Sequence, residues 1–344
     1  MPWVSTEFRL QIEHIAHNEY ICNKNDFSIS HDGKQYKHQR TGFWTKQYLN
    51  GDQEEGNYDH GLRKGLWVCL NQNQTKYEES NYKLGKKTWT TYYDNGYKIA
   101  EGHYDIKQKR TGLWTCWNVD GVKITAGSFE QDKRTGLWTE WYEENGIKCS
   151  EGYFDRGLKT GHWIYWHSNG IKEKEGKYNQ GFETGFWIRW YCNGKVEAEG
   201  HYDRQGKETG WWTYWHINGI KKSKGHYEQG SEAGCWTYWY YEGKKDSEGY
   251  YDDYGKEIGL WTFWHTNGIK KSEGHYNHGT RTGFWTYWHY DGNKELEGYY
   301  DNNGKEIGIW TRWHMNGRRS ERHNSVGFYG DVRVTGERNR RASI

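Results

Sequence analysis

The sequence predicts an all-β protein: an elongated, single-layer antiparallel sheet built as a meander of about twelve β-hairpins. One observation is a Trp that recurs at intervals of 22 to 25 residues along the 344-residue chain. Another is the composition, in which 33% of residues are hydrophobic and 18% aromatic, leaving about 15% (33 − 18) aliphatic, Met or Cys. A conventional aliphatic core is therefore excluded, while each buried aromatic ring still removes about 150–250 Å² from water.

The repeat reads approximately G-x-W-T-x-W-[YH]-x-N-G-x-K-x-x-E-G-x-Y-x-x-G-x-x-T. Internal self-similarity at a fixed period is the signature of a repeat architecture. The first Trp of each copy lies at twelve positions: Trp44, Trp67, Trp89, Trp114, Trp138, Trp163, Trp187, Trp212, Trp236, Trp261, Trp285 and Trp310.

Each copy predicts one hairpin. Two short segments rich in Trp, Tyr, Thr and Ile flank Asn-Gly, Asp-Gly or Glu-Gly. Asn-Gly in this setting is a strong signal for a two-residue type I′ turn, which requires positive φ at both central residues. The aromatic, β-branched and Gly content opposes helix. We therefore expect consecutive hairpins to form a long antiparallel meander.

The turn predicts a cross-strand register in which Trp meets Gly. With Asn218-Gly219 as the two-residue loop, Trp215 faces Lys222 and Trp212 faces Gly225. An indole can lie over a cross-strand Gly because the Gly has no side chain. We therefore expect a structural Trp–Gly ladder with these pairs: Trp163 and Gly176, Trp187 and Gly200, Trp212 and Gly225, Trp261 and Gly274, Trp285 and Gly298.

Alternation along the strands puts aromatic residues on both faces of the sheet. Trp261 and Phe263 share one face, while Leu260 and Trp264 share the other, so neither face is clearly the solvent side. The loop from Tyr251 to Trp261 is one residue longer than the equivalent loop in the next copy. Alternate loops therefore differ, and a 49-residue pair is a candidate structural period.

The sequence divides into three parts. Residues 1–40 are divergent and predict an N-terminal cap, in which residues 6–17 are a candidate short helix; residues 41–323 carry the tandem repeats. Residues 324–344 form a basic tail with a candidate strand at 328–334. Arg340-Arg341-Ala342-Ser343 matches a basic kinase consensus, so Ser343 is a candidate phosphorylation site; the alternative is a solubilising or docking tail.

Charge and hydropathy exclude several classes of function. Lys plus Arg number 48 and Asp plus Glu 46, which gives a net charge of +2 and no concentrated basic surface for nucleic acid. No apolar run approaches the roughly 20 residues of a membrane-spanning helix, and Glu7, Arg9 and Glu13 interrupt any signal peptide. The six Cys are widely spaced, which favours free thiols in a reducing compartment over disulfides.

No residue set predicts catalysis, a cofactor or a metal centre. Histidines recur at one position of the repeat, as in His216 and His265, which suggests a metal ladder or a hydrogen-bonding ladder. Equivalent positions are two strands apart, about 9.6 Å, which is too far for one ion. The aromatic ladder suits stacking against a glycan or a single-stranded nucleic acid, or packing of the rings within the sheet itself. Lysines such as Lys221 and Lys270 suit lipid headgroups or a solvated surface.

The pattern G-x-W-x-x-W-x-x-N-G, followed by E-G-x-Y and a further G-x-W, resembles the MORN-repeat-variant family, over about residues 40–323. Gly200, Tyr202, Gly210 and Trp212 match this pattern, as do Gly274, Tyr276, Gly279, Gly283 and Trp285. Departures lie near the N-terminus, where Lys87, Leu70 and Ser80 replace the expected Gly, Trp and Gly. The resemblance implies an elongated single-layer sheet that serves as a scaffold.

Function follows from the resemblance alone, since fold does not determine function. We expect a non-enzymatic intracellular scaffold, a β-rod that docks other proteins within a multi-subunit cytoskeletal or ciliary assembly, with end-to-end self-association as a further option. Two alternatives stay open. One is a peripheral membrane or phosphoinositide tether, and the other is a module whose aromatic surface binds a ligand or glycan.

Overall fold

The protein is all-β, as predicted. The computed structural model describes residues 27–29, 35–37, 40–84, 86–315 and 318–324, and in these ranges all regular structure is β-strand. The chain comprises two compact units, residues 1–109 and residues 110–344. Among the described residues, no helix has the length and hydrophobicity that crossing a membrane requires.

The first unit holds a short antiparallel pair and a six-stranded antiparallel meander. The pair consists of β1 (Phe27–Ile29) and β2 (Gln35–Lys37). The meander consists of β3 (Gly42–Gln47), β4 (Gln53–Asp59), β5 (Leu62–Leu70), β6 (Lys76–Lys83), β7 (Lys86–Tyr92) and β8 (Lys98–Tyr104). These six strands form the first three hairpins of the repeat.

The second unit holds eighteen strands, each antiparallel to its neighbours in sequence, so that nine hairpins form one continuous sheet with a contour of roughly 80 Å. The strands are β9 (Arg110–Trp117), β10 (Lys123–Glu130), β11 (Lys133–Trp141), β12 (Lys148–Asp155), β13 (Leu158–Trp166), β14 (Lys172–Asn179), β15 (Phe182–Trp190), β16 (Val196–Tyr202), β17 (Glu208–Trp215), β18 (Lys221–Glu228), β19 (Ser231–Trp239), β20 (Lys245–Tyr251), β21 (Glu257–Trp264), β22 (Lys270–Asn277), β23 (Thr280–Trp288), β24 (Lys294–Tyr300), β25 (Glu306–Trp313) and β26 (Arg319–Asn324).

The Asn-Gly turn differs from the predicted two-residue type I′ turn. His216 N–H donates to the Ile220 carbonyl at 2.7 Å, so three residues form the loop, and of these Gly219 alone has positive φ, at 87°. The Asn218 carboxamide oxygen accepts from Ile220 N–H at 3.0 Å. Asn218 does not have the positive φ that was predicted for it, and this side-chain bond closes the turn in its place.

The Trp–Gly register survives this difference because a bulge compensates for the longer loop. Trp215 pairs with Lys221 instead of the predicted Lys222, and the register shifts by one residue before Tyr214 pairs with Ser223. Trp212 then faces Gly225, as the two-residue loop would also have placed it. The extra loop residue and the one-residue bulge cancel.

The type I′ turns occur instead between hairpins. Gln229 and Gly230 have φ of 50° and 86° and form a two-residue turn between β18 and β19. The next inter-hairpin turn is longer: Asp252 N–H donates to the Lys256 carbonyl at 2.9 Å, and the Asp252 carboxylate accepts from Tyr254 N–H. The two turn types alternate from residue 180 to residue 304, which supports the predicted 49-residue pair.

The Gly of G-x-W has a backbone role. Gly234 has φ of 64°, and together with Cys235 it forms a two-residue bulge between the pairs Gly225–Trp236 and His226–Ala233. Lys87 replaces this Gly in one repeat, and there β6 and β7 pair without a shift. The absent bulge also explains why Trp67 and Trp89 are only 22 residues apart, two fewer than the usual 24.

The core is a row of Trp side chains on one face of the sheet, which we call the Trp face. Eleven of the twelve repeated Trp have exposed fractions of 6% or less, whereas Trp44 in β3 is 41% exposed. Tyr rings alternate with them edge to face: Tyr251 lies 5.1 Å from Trp261, which lies 6.1 Å from Tyr276. The opposite face, which we call the outer face, is more exposed. The sequence suggested that neither face is clearly the solvent side, whereas in the structure the two faces differ.

The indole that covers each Gly comes from the following hairpin and not from the Gly's own hairpin. A Cβ added to Gly225 would lie 2.0 Å from the Trp236 ring, although Gly225 also pairs with Trp212. Nine glycines share this contact, at 2.0–2.3 Å: Gly56, Gly127, Gly152, Gly176, Gly200, Gly225, Gly249, Gly274 and Gly298. Trp236 Nε1–H donates to the His226 carbonyl at 3.0 Å, the group next to the bulge. The equivalent bond joins seven other Trp to the preceding hairpin: Trp67, Trp138, Trp163, Trp187, Trp212, Trp261 and Trp285.

Three predictions from the sequence concern residues outside the described ranges. They are the helix at residues 6–17, the strand at residues 328–334 and the modification of Ser343. The cap and the tail, residues 1–40 and 324–344, therefore stay predictions. The boundary between the two compact units falls inside the repeats, after Lys109.

Replacing Gly225 with Ala should lower the free energy of unfolding by about 1–3 kcal/mol, because the new methyl group overlaps the Trp236 ring. Urea denaturation measures the effect, with His226→Ala on the outer face as the control. The cost of Gly225→Ala should shrink in a Trp236→Leu background and persist in a Trp212→Leu background. The reverse pattern would show that the ring over Gly225 belongs to its own hairpin.

Deleting residues 205–253 should leave the remaining chain folded. The deletion removes one 49-residue pair and joins Arg204 to Tyr254, which retains an Asp-x-x-Gly-Lys turn from Asp203 to Lys256. Each hairpin in a repeat array depends mainly on its neighbours. Far-UV circular dichroism per residue should be unchanged and thermal unfolding still cooperative; loss of both would refute the nearest-neighbour description.

Candidate docking surface

The outer face carries a row of exposed apolar side chains in the second unit, interrupted at His162 and Cys235. These residues stand one position before seven of the nine buried Trp of this unit, and their exposed fractions run from 43% to 60%: Leu113, Leu137, Phe186, Trp211, Leu260, Phe284 and Ile309. We call this row the outer stripe. This row was not predicted from the sequence, although the apolar residue between Gly and Trp in G-x-W is a signal for it.

Cross-strand partners widen the outer stripe with aromatic rings. Phe284 pairs with Tyr299 at 5.0 Å between ring centroids, and Trp211 pairs with the His226 ring at 5.8 Å. Tyr299 is itself 54% exposed. Extended exposed apolar patches are uncommon on soluble proteins that bind nothing, and they mark interaction sites.

The lysines of the outer face are engaged within the sheet. Lys270 Nζ lies 2.6 Å from Glu273 and 5.7 Å from the centroid of the Trp288 ring in the following hairpin. The same ion pair recurs at Lys148–Glu151, Lys172–Glu175, Lys245–Glu248 and Lys294–Glu297. Exposed pairs of this kind contribute little stability, but they neutralise the face beside the outer stripe.

The recurring His residues form hydrogen bonds between neighbouring hairpins. His216 Nε2 lies 3.0 Å from the Trp239 carbonyl, and His265 Nε2 lies 2.9 Å from the Trp288 carbonyl. In alternate copies, Tyr takes the same place, as where Tyr240 donates to the Trp264 carbonyl at 2.6 Å. No group of three or more His, Cys, Asp or Glu in the described part of the chain could hold a metal ion.

The Asn of Asn-Gly also joins neighbouring hairpins. The Asn218 carboxamide donates to the Tyr241 carbonyl at 2.8 Å, and Asn267 donates to the Tyr290 carbonyl at 2.6 Å. Together with the His and Tyr bonds, this contact fixes the spacing of consecutive hairpins at the Asn-Gly edge, while the indole bond fixes it near the other edge. A stiff, evenly spaced outer stripe follows from these contacts.

Among the described cysteines, all five are free thiols: Cys69, Cys116, Cys149, Cys192 and Cys235. Burial raises the pKa of Cys116 to about 11, and burial together with the nearby Glu78 carboxylate raises the pKa of Cys69 to about 12. Both thiols are therefore protonated at neutral pH, which is the unreactive form.

The structure brings together every Trp and Gly that the sequence paired. The pairs are Trp163 with Gly176, Trp187 with Gly200, Trp212 with Gly225, Trp261 with Gly274 and Trp285 with Gly298. The two residues of each pair are register partners within one hairpin. The indole ring that covers each Gly comes instead from the next strand along the chain. The ladder is therefore a packing device that positions the outer face.

Comparison with known proteins identifies no relative. No protein-family model matches the chain, and no curated protein matches it. Among solved structures, the crystal structure of TarM is similar at 11% identity with a TM-score of 0.22, covering 44% of this chain and 24% of TarM. The Photorhabdus luminescens Tc holotoxin pore is similar at 11% identity with a TM-score of 0.18, covering 85% of this chain and 18% of that one. The chain spans a quarter or less of the length of each of these proteins. TM-scores this low do not establish a shared fold or function.

Alkaline pH should destabilise the sheet through the tyrosines of the Trp face. Hydroxyl pairs such as Tyr238–Tyr251, at 3.2 Å, are half-buried, and burial raises the pKa of Tyr251 to about 12 and that of Tyr238 further. Unfolded Tyr has a pKa of about 10, so the folded state holds more protons above that pH. The contribution of these tyrosines to the free energy of unfolding is therefore fully present below pH 10, and it is lost as pH rises toward 12.

The urea midpoint should accordingly be lower at pH 11 than at pH 9, and tyrosinate absorbance at 295 nm should appear together with unfolding. Tyr251→Phe removes one raised pKa and should reduce the difference between the two midpoints. The chain in 8 M urea provides the reference titration. Equal midpoints at both pH values would contradict the expected linkage.

Proposed function

We propose that the protein is a non-enzymatic scaffold that docks other proteins along the outer stripe. The observation that supports this proposal is the regular row of half-exposed apolar side chains, one from almost every hairpin of the second unit. Buried aromatic and aliphatic anchors provide most of the binding energy at protein interfaces. A partner with apolar anchors spaced about 9.6 Å apart, two strand spacings, would match the row.

A scaffold agrees with the chemistry of the rest of the surface. The Lys–Glu pairs beside the outer stripe are mutually neutralised, so they leave no strong field for an anionic membrane. The charge-depleted centre with a polar rim is the usual composition of a protein interface. The cytoskeletal or ciliary setting and the intracellular location rest on the resemblance to MORN-like repeats and belong to the proposal.

Replacing Phe186, Trp211 and Leu260 together with Ser should abolish partner capture without unfolding the sheet, because all three side chains are about half exposed. Affinity purification from the native source, followed by crosslinking, measures the effect. Tyr254→Ser is the matched control, since Tyr254 is 85% exposed and lies in a turn away from the outer stripe.

Loss of the same proteins from the triple variant, with retention by the control, would support docking at the outer stripe. Equal recovery with both variants would refute it. Circular dichroism and urea midpoints close to those of the unmodified chain show that the triple variant is folded, so that loss of binding is not loss of structure.

A further inference from the structure

The last described hairpin breaks the repeat on the Trp face. Two positions after the buried Trp, most late copies have Tyr or Phe, whereas this hairpin has Arg312. Arg189 holds this position in an earlier copy, where it donates to the Tyr202 hydroxyl. The cross-strand neighbours of Arg312 are Leu296, where the three preceding hairpins have Ser, and Ser320. A site for a specific small group is expected to be local and irregular in this way, because a regular ladder repeats every contact in each hairpin.

These substitutions line a hollow in the Trp face. Its volume is about 270 Å³, and its walls are formed by Leu296, Trp310, Arg312, His314 and Ser320. Arg312 and Ser320 are register partners, and Ser320 Oγ lies 3.5 Å from His314 Nε2. A guanidinium, an imidazole and a hydroxyl therefore share one small surface, and no lining residue is acidic.

Two of the lining groups lack partners among the described residues. The Arg312 side chain makes no ion pair or hydrogen bond there, in contrast to Arg319, which pairs with Glu321 at 2.7 Å. Trp310 Nε1–H is buried without an acceptor, whereas the equivalent N–H of Trp285 donates to the His275 carbonyl at 3.2 Å. An unsatisfied buried donor is costly, and the Trp310 N–H is one of three buried side-chain groups without a partner among the described residues, with Thr125 Oγ1 and Arg189 Nε.

We propose that this hollow, formed by Arg312, His314 and Ser320, binds a phosphate group. An Arg guanidinium presents a planar fork of donors that matches two oxygens of a phosphate. The Ser320 hydroxyl and the His314 ring offer further donors to the remaining oxygens of a tetrahedral anion. The same chemistry suits a soluble phosphate compound and a phosphorylated lipid headgroup. This site lies on the Trp face and is separate from the outer stripe.

Titration of the full chain with pyrophosphate, followed by ³¹P line broadening and by calorimetry, tests the proposal. Arg312→Gln should weaken binding by at least about tenfold, since a charge-assisted hydrogen bond is lost. Arg312→Tyr restores the residue of the other repeats and should have the same effect with the fold retained. Arg319→Gln removes a positive charge nearby on the outer face and should leave binding unchanged.

A second arm distinguishes the sources of the phosphate. Flotation with phosphatidylcholine vesicles that contain phosphatidylinositol bisphosphate, dependent on Arg312, would support the proposal with a lipid source. Binding of pyrophosphate without flotation would support it with a soluble source. Binding in neither arm, or binding that Arg312→Gln leaves unchanged, would overturn the proposal.

Discussion

The structure depends on one contact, an indole laid over the glycine of the preceding hairpin. Burying such a ring removes about 150–250 Å² from water, which corresponds to about 4–6 kcal/mol as an upper value. Three features of the repeat serve this contact. Gly225 leaves space for the Trp236 ring, Gly234 adopts the positive φ of the bulge, and the bulge leaves the His226 carbonyl free to accept the indole N–H. Within each compact unit, this contact joins a hairpin to the one before it.

This contact makes the two faces of the sheet unequal. Trp and Tyr rings interlock edge to face on the Trp face, so substitution there disturbs two hairpins at once. The outer face has no such requirement at the position before each Trp, where residues as different as Trp211 and Ile309 occur with similar exposure. A surface that is free to vary while its spacing is held constant suits recognition of an extended partner.

The exceptions in the repeat are as informative as the rule. Where Lys87 replaces the G-x-W glycine, the bulge is absent and the repeat shortens, so the motif and the backbone geometry change together. Where Arg312 replaces a ring, the Trp face opens into a polar hollow and the Trp310 N–H loses its acceptor. The first change alters spacing alone, whereas the second leaves the Arg312 side chain without an ion pair or hydrogen bond among the described residues, although Arg189 at the same position donates to Tyr202.

The sequence by itself determined the class of fold, the number of hairpins and the pairing of Trp212 with Gly225. That pairing is reached through a three-residue loop and a compensating bulge, which give the same register as the predicted two-residue loop. Only the tertiary structure decided which indole covers which glycine, since register partners on both sides of Gly225 are Trp and the choice depends on how the ring leans. It also decided the turn type, through the Asn218 side-chain bond, and the exposed side of the sheet. These properties arise from contacts between successive hairpins, which a pattern within one repeat does not contain.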